Sequence, residues 1–206
     1  MSRNTLTATV SAQTRKHGLL IRIAHIGLAI AVMNQLLTSL VLSAPAPDAA
    51  GNFYFEVHEY GGLIAFSFIT LFWFGVIFRK RHAPSGLMFP WLSAVRLSAL
   101  WSDTKLHFAA IRRMRLPPYD DHAPLASAIH GLGLLLVTAM AASGTIYYFI
   151  NSGDPDAGGL VGVVMFIHLN LANLVWAYLI GHAGLALVHH FSNNLHLSEM
   201  WSLRRD

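Results

Sequence analysis

The stretch from residue 160 to residue 189, LVGVVMFIHLNLANLVWAYLIGHAGLALVH, decides the fold class of this chain. It has no Asp, Glu, Lys or Arg. Its length exceeds the roughly 20 mainly apolar residues that a helix needs to cross a bilayer. It also carries His168 and His182, which are fourteen residues apart. In an α-helix that spacing is a rise of about 21 Å and a rotation within roughly 40° of whole turns, so one face presents an imidazole toward each side of the membrane.

Three further segments, roughly 22–42, 58–78 and 123–150, have the length and composition of membrane spans. Of the 206 residues, 54% are hydrophobic and only 12% are charged, whereas soluble domains carry about 25% charged residues. A chain of this length is one domain by the usual relation of length to domain number. The sequence therefore predicts a single all-α domain, 1–206, folded as an integral membrane four-helix bundle.

The basic residues indicate the orientation of the bundle. All fourteen Lys and Arg residues precede or open the first span, lie between the second and third spans, or end the chain, while the other two loops carry acidic residues. Because positive charge stays on the cytoplasmic side, both termini are predicted to be cytoplasmic. The net charge of +4 comes from residues that flank the spans, so it predicts no nucleic-acid partner.

A segment at about 87–115, between the second and third spans, alternates aromatic and aliphatic residues with Arg96, Lys105 and Arg112. This pattern is typical of an amphipathic segment that lies on the cytoplasmic membrane surface. We interpret it first as a surface anchor in contact with lipid. The alternative interpretation is a docking face for a partner or a lid over a quinone site.

The histidines fall at two matching depths in the predicted spans. His25 lies near the cytoplasmic end of the first span, and His58 opens the second span on the outer side. His58 then matches His168 in depth, and His25 matches His182. Histidine nitrogen is a good axial ligand for haem iron, and helix bundles build cofactor sites from facing helices. The absence of cysteine excludes covalent c-type haem and iron–sulfur clusters, so the pairs predict two bis-histidine b haems.

Other residues leave alternatives open. A single histidine near a helix end often contacts the membrane interface, so only the set of four favours haem. His130 ranks below that set because Leu134, not a small residue, follows one turn later, whereas His189 continues the fourth-span stripe and is an alternative to His182. Arg22, one turn before His25, is either a candidate haem-propionate contact or a positive anchor.

These residues resemble the bacterial cytochrome b561 family and the related b-type cytochrome subunits of hydrogenases and periplasmic dehydrogenases. The resemblance covers all four spans and is sharpest in the last, including the ligand spacing and the terminal His-His pair. It implies the same pairing, His25 with His182 and His58 with His168. The matching stretches are Arg22-Ile-Ala-His25, His58 with Gly61-Gly62, His168-Leu-Asn-Leu-Ala-Asn-Leu, Ile180-Gly-His182 and Ala186-Leu-Val-His189-His190.

The resemblance implies a protein of the bacterial inner membrane that passes electrons between ubiquinone or menaquinone and a periplasmic redox protein or small species. It is then either a quinone-linked oxidoreductase or the electron-transfer subunit of one. The alternative within the family is an anchor subunit of a periplasmic dehydrogenase or hydrogenase, without independent activity. His189 and His190 are candidate quinone-side residues, and their alternative role is contact with lipid headgroups.

Two other classes of protein use membrane histidines. A transporter with a histidine proton relay predicts a colourless protein and gives no reason for matched ligand depths. A zinc or copper protein gathers three or four ligands in one pocket, whereas here the proposed ligands fall into two pairs about 20 Å apart.

Overall fold

The computed structural model describes residues 19–78, 88–115, 123–151, 154 and 156–192. Five α-helices account for most of these residues, with one short 3-10 turn at Pro90–Leu92 before the third helix. The described residues do not include residue 87, where the interfacial segment was predicted to begin. They also do not include the basic positions 79–81, 204 and 205. The helices are α1 Leu19–Ser39, α2 Phe53–Ile77, α3 Ala94–Arg112, α4 Pro124–Ile150 and α5 Gly159–Phe191.

Four of these helices, α1, α2, α4 and α5, are long and apolar enough to cross a membrane. α2 packs against both α1 and α4, and α4 in turn packs against α5. Large apolar side chains on the outside of the bundle are exposed, among them Phe149, Phe166 and Ile180. Contiguous apolar surface of this kind is unfavourable in water and favourable against lipid chains. The predicted all-α membrane bundle is confirmed.

α2 begins five residues before the predicted start of the second span, at Phe53. The reason is a polar cap: the Asn52 side chain accepts hydrogen bonds from Phe55 N at 3.0 Å and Ser43 N at 3.1 Å. Its Nδ2 donates to Val41 O at 2.9 Å. Such a cap satisfies amides that the first turn of a helix leaves without partners. His58 therefore lies in the second turn of α2 instead of opening it.

The core lies between α1, α2 and α4. Ile69 and Val76 of α2 and Leu134 of α4 are buried together, and α2 is also linked to α4 by a hydrogen bond from Trp73 Nε1 to Thr138 Oγ1 at 2.9 Å. Phe89, just before the 3-10 turn, stacks on Trp73 at 5.9 Å between ring centroids. The connection between the second and third spans thus contacts the bundle at Phe89.

The interfacial segment folds as α3, which contacts α4. Asp103 Oδ2 accepts a hydrogen bond from Leu125 N at 2.9 Å, at the start of α4. Trp101 and Thr104 of α3 and Ile129 of α4 line an apolar groove of about 330 Å³ between the two helices. Leu106 and Phe108 are exposed, as expected of a helix that presents apolar side chains to a membrane surface.

Candidate functional site

The four histidines singled out by sequence lie on three of the spanning helices: His25 on α1, His58 on α2, and His168 and His182 on α5. Each of these side chains is half-buried. His58 lies about 8 Å along α2 from its first residue, and His168 lies about 14 Å along α5 from its own first residue. Both therefore belong to the half of the bundle that contains the α1–α2 and α4–α5 connections.

The structure brings His58 and His168 together. Their ring centroids are 6.3 Å apart, and the ring planes are nearly perpendicular, at 84°. Two metal–nitrogen bonds of about 2 Å, with the two ring radii added, place imidazoles that share one metal roughly 6 Å apart between centroids. The spacing of this pair therefore fits two axial ligands on opposite sides of one iron.

A hydroxyl lies against each of these rings. Thr38 Oγ1, from the end of α1, is 3.0 Å from His58 Nδ1, and Ser143 Oγ, from α4, is 3.0 Å from His168 Nδ1. Both hydroxyl-bearing residues are buried. Because Nδ1 of each ring is occupied in this way, Nε2 is the nitrogen left for a metal. All four spanning helices thus contribute to one site.

Gly144 gives the ring of His168 its space. A Cβ atom at this position would lie 3.0 Å from His168 Cε1, closer than side chains normally approach. The chain supplies imidazole nitrogen and no cysteine thiolate, which is the donor set of a b-type haem. The paired rings, the occupied Nδ1 atoms and the glycine beside them fit the group.

The second pair of predicted ligands has a different environment. His182 stacks on Tyr178, one turn earlier in α5, with ring centroids 5.4 Å apart. It also meets His130 of α4 edge to face at 5.3 Å, a distance shorter than that between His58 and His168. His25 lies on α1 with its Nδ1 atom buried. The structure thus places His130, which ranked below the other histidines by sequence, directly beside His182.

Tyr178 of α5 also lies at a point where α4 and α5 approach closely. Its ring lies where a Cβ atom on Gly133 of α4 would be. Since any larger residue at Gly133 would displace the tyrosine, the glycine lets α4 and α5 pack with Tyr178 stacked on His182.

Arg22 is buried, with 4% of its side chain exposed. A positive-inside anchor reaches headgroups and water, so this burial disfavours that interpretation, and the haem-propionate contact stays a prediction. His189 is likewise buried, at 7% exposed, while its neighbour His190 is half-buried beside Phe191. Of the two candidate quinone-side histidines, His189 is the one directed into the protein.

Thr38, Ser143, Gly144 and Tyr178 were missed by the sequence reasoning. Depth along the helices places both hydroxyls in the same half of the bundle as His58 and His168 but does not by itself single them out. Among the described residues, no group of three or more His, Cys, Asp or Glu side chains gathers as a metal site.

Of three comparisons with known proteins, one gives a match. No curated protein and no solved structure matches the chain. The family model described as prokaryotic cytochrome b561 matches residues 16–203, which include all four spanning helices. A family of this name carries b-type haem in the membrane for electron transfer, the cofactor and setting that the paired histidines fit. The chain belongs to the prokaryotic cytochrome b561 family.

Proposed function

We propose that this chain is a di-haem b electron carrier that passes electrons between a membrane quinone and a redox partner or small species on the outer side. The observation that carries the proposal is the His58–His168 pair, with 6.3 Å between ring centroids and a hydroxyl on each Nδ1. Bound haem supplies a one-electron iron couple, and the protein sets its potential through ligation, burial and hydrogen bonds.

His25 and His182 hold the second haem in this proposal. Their support is the match in depth and the fourteen-residue spacing between His168 and His182. The rise of about 21 Å between the two α5 histidines separates the haems along the membrane normal. His130 beside His182 is then a neighbour of the site, and its role is tested against that of His25.

The quinone side is proposed at the end of the bundle that contains Arg22 and His189. Both side chains are buried, and buried polar groups at a membrane boundary are costly unless they have a role. Arg22 is suited to a haem propionate because a guanidinium binds carboxylate with two parallel hydrogen bonds. His189 is suited to a quinone carbonyl, since an imidazole donates or accepts a hydrogen bond according to its protonation. In the proposed orientation this end of the bundle faces the cytoplasm, and both termini are cytoplasmic.

The test is the dithionite-reduced minus oxidised spectrum of purified protein, with a pyridine haemochrome assay of haem per chain. We expect two b haems, falling to one in His58→Ala, His182→Ala and His25→Ala, and staying at two in the matched control His190→Ala. Added quinol should reduce the haems of the unaltered protein. Loss of haem in His130→Ala but not in His25→Ala would overturn the second pair, and a folded, haem-supplied but colourless protein would overturn the proposal.

A further inference from the structure

We propose that Thr38 and Ser143 are positioning residues that fix His58 and His168 in the tautomer with Nδ1 protonated and tune the potential of the haem they hold. The inference rests on the proposed function, because it takes these two histidines as iron ligands. Its additional basis is the hydrogen bonds that these two hydroxyls donate to backbone carbonyls within α1 and α4.

The direction of each hydrogen bond follows from counting protons. A hydroxyl has one proton and two acceptor lone pairs. Thr38 Oγ1 donates that proton to Asn34 O, at 2.7 Å, with Gln35 O at 3.1 Å. The oxygen then has only lone pairs to offer His58 Nδ1 at 3.0 Å, so the imidazole N–H is the donor.

The same count holds for the partner ring. Ser143 Oγ donates to Met140 O at 2.9 Å and lies 3.0 Å from His168 Nδ1. His168 therefore also carries its proton on Nδ1. In a neutral imidazole the other nitrogen is then the acceptor, so both rings offer the lone pair of Nε2, the form that binds iron.

The identity of the acceptor sets how strongly each ring donates to iron. A carboxylate on the N–H raises the basicity of a histidine ligand, and greater basicity stabilises oxidised iron. A neutral hydroxyl has a weaker effect, so it leaves the haem at a higher potential than a carboxylate would. It also avoids the cost of placing a charge within the membrane. Thr38 and Ser143 are both buried, each with 7% of the residue exposed, so water does not compete strongly for the N–H.

The experiment compares the midpoint potential and the rate of haem loss across substitutions of these hydroxyls. Ser143→Ala and Thr38→Val remove the hydroxyl acceptor at little change in size, and we expect a raised potential and about tenfold faster haem loss, the scale of effect seen when a hydrogen-bond partner of a histidine ligand is removed. Ser143→Asp introduces a carboxylate and should lower the potential below that of the unaltered protein. Thr38→Ser keeps the hydroxyl, so its midpoint potential and rate of haem loss should equal those of the unaltered protein.

The control is Ser67→Ala on α2, whose exposed hydroxyl donates to Leu63 O within its own helix. It should change neither quantity. Potentials that do not follow the order Asp, Ser, Ala at position 143, or equal haem loss in the control, would overturn the inference while leaving His58 and His168 as ligands. If His58→Ala retains both haems, the proposed ligands fail, and that result is read from haem content alone.

Discussion

Among the glycines of the described residues, Gly144 is the one whose Cβ position is crowded by a proposed ligand. Since a Cβ atom there would lie 3.0 Å from His168 Cε1, Gly144→Val should push the imidazole out of line and reduce haem content from two per chain toward one. Gly162→Val on α5 is the matched control, because among the described residues nothing lies within 4 Å of its Cβ position. Both changes place a β-branched residue in a helix, so equal haem loss in the two variants would contradict a role for Gly144.

Some residues of this site could be predicted from the sequence, and others could not. Matching depths along antiparallel helices led to His58 and His168 as a pair, and the structure brings their rings together. Depth alone does not identify Thr38 or Ser143, because hydroxyl residues are common in spans and a bond to Nδ1 depends on side-chain rotamer and helix rotation. A small residue lies one turn after each proposed ligand in the sequence, such as Gly62 after His58, but this is a weaker guide. A Cβ on Gly62 would contact Gln35 of α1 at 3.5 Å.

Between elements, Asp103 joins α3 to the start of α4. Its carboxylate accepts from Leu125 N, at a helix end where amides lack partners and negative charge is favourable. His107 Nδ1 lies 3.1 Å from the other carboxylate oxygen. Asp103→Ala should cost about 1 kcal/mol locally, and hydrogen exchange of the amides at the start of α4 should quicken about fivefold. The exposed neighbour Ser102→Ala should leave exchange unchanged, and equal exchange in both variants would remove Asp103 as a cap.

Helix boundaries show why sequence locates elements better than their ends. Hydropathy placed the second span at 58–78, after the charged residue Glu56, but the cap at Asn52 starts α2 at Phe53. The sequence predicted the interfacial segment but not its contacts with α4. The groove against Leu125 and Ile129 and the Asp103 bond both depend on tertiary packing, which periodicity does not encode.

At the scale of the whole molecule, the side of the membrane from which a partner reaches the His58–His168 pair depends on the orientation of the bundle. The sequence predicts this from charge: the α1–α2 and α4–α5 connections are acidic and α3 is basic. Cytoplasmic loops retain Lys and Arg, so the His58–His168 pair is predicted to face outward and the end with Arg22 and His189 inward. In that orientation, a positively charged partner on the outer side would meet acidic loops, and the opposite charge would favour its approach.

The absence of cysteine makes this orientation directly measurable. Ala50→Cys, in the α1–α2 connection, and Ser98→Cys, on α3, each introduce one thiol at an exposed position. A maleimide that does not cross membranes should label Ala50→Cys in right-side-out vesicles and Ser98→Cys in inside-out vesicles, with the unaltered chain unlabelled in both. The reverse pattern would place the His58–His168 pair on the cytoplasmic side. Because the haems would keep their ligands, that result would redirect electron flow and move the quinone site without changing the haem count.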